Sequence, residues 1–113
     1  KITAKSWLSI LEASYIIYFL KPHYKNYNKR IVKMPKLYFY DTGLVSSILG
    51  IKSEDQLLTH FLYGALFENF IINEFYKHLY NNSINIELYF WRDKNGKEID
   101  LIIDNNDEII PIE

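Results

Sequence analysis

Cysteine is missing from this 113-residue chain. That absence excludes a disulfide framework and any thiolate metal site. No apolar run approaches the roughly 20 residues that span a bilayer, and no signal-peptide layout opens the chain. A soluble, cytoplasmic protein without membrane contact is therefore expected. The three histidines, His23, His60 and His78, lack HxH or HExxH ligand spacing. His78 reads as a satisfied core histidine at the edge of an apolar arc. An initiating methionine is also lacking, because the single methionine is Met34. The chain starts at Lys1 and stops at Glu113 inside a strand-like run, so an excised or processed piece is expected.

What is present suits a folded domain: 49% hydrophobic and 17% aromatic residues, enough for one modest core. Charge is polarised. Residues 1–40 carry eight bases against Glu12, a balance of +7, while 41–113 hold five bases and thirteen acids, a balance of −8. Together they give the net −1. A basic part fits phosphate contact and an acidic part fits metal binding or solvation. Biased Lys, Asn, Ile and Tyr usage explains the same pattern without function.

"TAKSWLSILEAS" at 3–14 places Trp7, Leu8 and Leu11 at helical spacing. "YIIYFL" at 15–20 and "KLYFYD" at 36–41 read as strands around a polar loop, "KPHYKNYNKR". Helix, strand, long basic loop and strand match the end of a winged-helix module. Tyr24, Lys25, Tyr27, Lys29 and Arg30 interleave rings and charge on that wing. With Lys5 of the helix, they are candidates for nucleic-acid contact, DNA above all. A solvated hairpin tip is the alternative.

"DTGLVSSILG" predicts a turn into a short helix before Gly50; its Asp-Thr-Gly is weak as a protease signature. Ser53 and Gln56 form a capping-box pattern. Helical signal follows to about Tyr80, with a break near Gly64, and Asn81-Asn82 ends it. Strands are expected at 86–92, 97–104 and 108–112. The Asn-Gly of "DKNG" predicts a hairpin between the first two, and the three strands form a largely antiparallel meander. Arg92 reads as a phosphate ligand, a partner of Asp93 or an exposed charge. Lys94 and Lys97 read as solvated.

Three carboxylates sit in unusual places. On a helical wheel of "LFENFIINEFYKHL", Phe67, Ile71, Ile72, Phe75 and Leu79 fill one arc, with Glu68 inside it. Asn69 and Asn73 then read as surface residues. A charge on a buried face requires a partner or a metal; a buried salt bridge or a partly exposed arc are the alternatives. In "KEIDLIID", Ile99, Leu101 and Ile103 line one face and Glu98, Asp100, Ile102 and Asp104 the other. Asp100 stands mid-strand, where Asp is depleted. Glu113 ends the next strand. Convergence of Glu68, Asp100 and Glu113 would offer oxygen ligands suited to Mg²⁺ or Mn²⁺.

Those residues resemble the metal-binding half of the PD-(D/E)xK nuclease superfamily. Under that resemblance Glu68, Asp100 and Glu113 are catalytic and metal-binding. The family's last motif, Glu-x-Lys, would set its lysine two positions beyond Glu113, so little catalysis is expected of the chain as given. "PKLYFYDTGL", "G-x-LFEN" and "FWR…EID" further resemble the C-terminal domain of unknown function that follows the ATPase module in a family of prokaryotic AAA-type ATPases. The resemblance implies a winged-helix segment and a nuclease-like domain behind a P-loop ATPase. This chain has no G-x-x-x-x-G-K-[ST], hence no ATP site of that kind.

The fold expected is α/β: a winged-helix remnant with its linking helix at 1–50, then a restriction-endonuclease-like helix plus antiparallel meander at 51–113, truncated at both ends. The function expected is a DNA-binding, divalent-metal nuclease-like accessory of an AAA-type ATPase. The alternative is a non-catalytic interaction or regulatory module docking that ATPase.

Overall fold

The computed structural model describes residues 3–23, 34–82, 86–105 and 108–112. Its elements run α1 (Ala4–Ala13), β1 (Ile17–Pro22), β2 (Lys36–Phe39), α2 (Thr42–Ile48), α3 (Glu54–Thr59), α4 (Tyr63–Asn82), β3 (Glu87–Arg92), β4 (Glu98–Asp104) and β5 (Ile109–Ile112). The fold is mixed α/β. Its five strands form one mixed sheet in the order β2-β1-β3-β4-β5. No described helix is long and apolar enough to cross a membrane.

The chain divides into two compact units: 1–18 with 38–74, and 19–37 with 75–113. In unit 1 the Thr3 side chain caps α1 by accepting from the Ser6 N–H. The helix ends in two nested bonds, Ile16 N–H to Leu11 C=O and Tyr15 N–H to Glu12 C=O, which form a Schellman motif. That motif needs a left-handed residue, and here Tyr15 takes it at φ 60°. The turn displaces the next strand from the expected Tyr15 to Ile17. The same arrangement closes α2, with Gly50 at φ 79° and bonds from Gly50 to Ser47 and from Ile51 to Ser46.

Asp41 caps α2 by accepting from the Gly43 and Leu44 N–H groups, so "DTG" is indeed a turn into a helix. Ser53 caps α3 through the Gln56 N–H. Gln56 reaches back one residue further than a capping box, to the Lys52 N–H. Helical structure breaks at 60–62, just ahead of Gly64.

α4 corrects the wheel. Its buried residues are Leu66, Asn69, Ile72 and Asn73, whereas Phe67, Phe70 and Ile71 are exposed. The physical reason lies in β2. Asn69 accepts from the Phe39 N–H at 2.9 Å and donates to the Phe39 C=O at 2.9 Å. Asn73 donates to the Phe39 and Tyr40 carbonyls and accepts from the Tyr18 hydroxyl. β2 is the edge of the sheet, and an amide satisfies an exposed strand edge as a neighbouring strand would. Two amides therefore share the buried side of α4 with Leu66 and Ile72. His78 is also exposed; the buried histidine is His23, at 3% exposure.

In unit 2, β3, β4 and β5 form the expected antiparallel meander. Asp93 closes its first hairpin by accepting from the Asn95 and Lys97 N–H groups, with Gly96 at φ 93°. β1 pairs in parallel with β3, Lys21 against Tyr89 and Pro22 against Phe90. The strand read as one side of a wing thus shares the meander's sheet. Leu101, Ile102 and Ile103 are all buried, because β4 is covered on both faces.

Candidate functional site

The acidic side of the site begins on β4. Asp100 and Asp104 lie two residues either side of Ile102, on the same face. That face is not a solvent face, since Ile102 is fully buried and Asp100 and Asp104 are only partly exposed. β4 is registered on β5 with Leu101 against Ile112 and Ile102 against Pro111. Glu113, next after Ile112 in the chain, lies outside the described residues.

Asp104 has an identified partner. Its Oδ2 lies 3.0 Å from His23 Nε2, with side-chain exposures of 12% and 3%. The His23 ring also meets Tyr89 edge-on at 4.9 Å, and its backbone N–H donates to the Phe90 C=O at 2.8 Å. Burial, then the charges of Glu87 and Asp104, raises the Tyr89 hydroxyl above its ordinary range. Tyr89 therefore stays a neutral hydrogen-bonding group at neutral pH.

The far end of β4 holds a second group. Glu98 Oε1 accepts from Lys36 Nζ at 2.5 Å and from Arg92 at 3.0 Å. Both cations lie over the Phe90 ring, at 5.0 and 5.9 Å from its centroid. The Lys36 hydrogen bond dominates and lowers the Glu98 carboxyl below its ordinary range. Arg92 is thus paired with Glu98. Asp93, one of the alternatives the sequence left open for Arg92, accepts instead from the N–H groups of its own turn.

Glu68 belongs to unit 1. Its Oε2 accepts from the buried Tyr38 hydroxyl at 2.7 Å, and it is partly exposed rather than sunk in an apolar arc. Of the proposed nucleic-acid contacts, Lys5 is exposed on α1. Lys25, Tyr27, Lys29 and Arg30, with Tyr24, lie outside the described residues. Among the described residues no three acidic, histidine or cysteine side chains gather as a metal-holding group.

Unit 2 also contains a groove of about 400 Å³ that the sequence did not announce, lined by Phe19, Lys21, Tyr76, Tyr80, Glu87 and Tyr89, among others. Tyr76 and Tyr80, one helical turn apart on α4, pack with ring centroids 4.5 Å apart. The helical spacing of those two tyrosines was legible; their meeting with β1 and β3 was not.

Comparison with known proteins agrees with a domain of undefined role. Residues 63–113 match the family described as "Domain of unknown function (DUF4143)", and residues 1–55 match "Domain of unknown function (DUF8612)". The chain is 32% identical over 102 residues to an uncharacterized protein of Mycobacterium bovis and to one of Mycobacterium tuberculosis. The match covers 90% of this chain and 22% of each relative, so the chain spans about a fifth of the length of those curated relatives. No solved structure matches it.

Proposed function

We propose that the chain is the DNA-directed, divalent-metal-binding accessory domain of an AAA-type ATPase. One observation carries the reading. Asp100 occupies a β4 face shared with fully buried Ile102, and the β4–β5 register ends at Leu101 against Ile112, the residues that follow Asp100 and precede Glu113.

The donor set suits the metal class. Mg²⁺ and Mn²⁺ take hard oxygen ligands, and Mg²⁺ commonly uses one or two carboxylates and keeps several waters. Asp100 and Glu113 supply two carboxylates, and the proposal rests on these two alone. When bound, the ion supplies positive charge beside a phosphodiester. The protein's part is to hold the Asp100 carboxylate on β4, a strand paired on both sides, where little entropy remains to be lost on binding.

A calorimetric Mn²⁺ titration of the chain beside its Asp100→Asn variant tests the reading. Binding in the parent and its loss in a folded variant supports a metal site; equal heats in both chains overturn it.

A second reading is a non-catalytic module that docks the ATPase portion of the same or a related protein. Phe61, at 88% exposure, with Phe67, Phe70 and Ile71 leaves much apolar surface on unit 1. Under this reading Asp100→Asn leaves metal affinity untouched, while a charge at Phe67 weakens association with the ATPase portion.

A further inference from the structure

The unit 2 groove has a composition that the metal site does not use. Four aromatic rings, those of Phe19, Tyr76, Tyr80 and Tyr89, share it with one ammonium, Lys21, and one carboxylate, Glu87. Its volume of about 400 Å³ falls within the roughly 300–1,000 Å³ of small-molecule sites. Aromatic walls select planar ligands, and every nucleobase has a π-face that such rings can stack on. A carboxylate accepts from exocyclic amines or ring N–H groups of a base. A lysine places a point charge for phosphate.

An aromatic groove with a carboxylate can also hold a cationic side chain. The Lys21 ammonium disfavours it: registered beside Tyr89, it repels a second cation and attracts an anion.

We infer that this groove receives an unpaired base of a single-stranded or frayed nucleic acid, stacked against Tyr80 and Tyr76, with its phosphate at Lys21 and a base N–H at Glu87. The groove shares with the proposed function only the class of partner. It needs neither metal nor Asp100.

The test is fluorescence anisotropy of a labelled 12-nucleotide thymidine strand in EDTA, beside an abasic strand of equal length. The wild-type chain binds the thymidine strand more tightly than the abasic one. Tyr80→Ala weakens the thymidine strand by about tenfold and leaves the abasic strand unchanged, and Tyr80→Phe retains binding. Because Tyr80 is 42% exposed, the truncation keeps the fold, which a thermal melt verifies. Lys21→Gln, at an exposed residue, provides a second arm and reduces the salt slope by about one. Equal affinity for both strands overturns the inference. So does an unchanged Tyr80→Ala, or preference for a trimethyllysine peptide. Because these titrations are made in EDTA and the metal reading is tested by Mn²⁺ heats, a failed Mn²⁺ titration leaves them unchanged, which separates failure here from failure of the metal site.

Discussion

Asn69→Ala probes the least expected feature of the chain. The Asn69 amide makes three described contacts: it accepts from the Phe39 N–H, and it donates to the Phe39 C=O and to Asn73 Oδ1. Truncation does not orphan all of them. The Phe39 C=O keeps Asn73, and Asn73 Oδ1 keeps Tyr18. The Phe39 N–H loses its acceptor, at a cost of about 1–3 kcal/mol for a desolvated donor, and the remaining bonds add about 1 kcal/mol. Partial exposure of Phe39 favours the lower half, so a loss of roughly 2–3 kcal/mol is expected in urea unfolding. At about 4 °C per kcal/mol, the melting midpoint falls by roughly 10 °C. Asn69→Asp sharpens the test. Its carboxylate still accepts from the Phe39 N–H but cannot donate, and when ionised it faces the Phe39 carbonyl. The damage should ease as pH falls and the acid regains a proton to donate. A loss below about 0.5 kcal/mol, typical of surface substitutions, would refute the edge-capping account.

Other expectations follow from the same contacts. Glu98 is held at a lowered pKa chiefly by Lys36, so its stabilisation is complete above the ordinary carboxylate range and is lost as pH falls through the lowered folded-state value. Glu98→Gln should flatten the acid limb of the stability profile, measured by urea midpoints at a series of pH values. Tyr15 and Gly50 occupy equivalent left-handed caps. Tyr15→Gly should raise stability by about 0.5–1 kcal/mol and Gly50→Ala should lower it by about 1 kcal/mol, both read from thermal melts. If Tyr15→Gly destabilises, the packing of its ring on Tyr40 outweighs the backbone strain.

Much of the fold was legible because its signals are local. Asp41 and Ser53 announce their helices, and Asn95-Gly96 announces a turn. The parallel pairing of β1 with β3 has no such signal, since its partners Lys21 and Tyr89 are separated by most of the chain. α4 misled for a different reason. It is apolar on more than one side, so periodicity could not choose among Phe67, Ile71 and Leu66. The decisive partner of Asn69 is a backbone edge that no sequence pattern displays. The site divides along the same line. The mid-strand position of Asp100 was visible in the alternation, whereas the His23–Asp104 pair and the aromatic groove depend on tertiary neighbours.

The central claim concerns where a metal ion sits, and Mn²⁺ can report this directly. Substoichiometric Mn²⁺ added to the ¹⁵N-labelled chain should broaden the amide signals of Leu101 and Ile112 first, and Asp100→Asn should abolish that selectivity. Broadening centred on His23 and Asp104, or spread evenly over surface acids, would contradict the account.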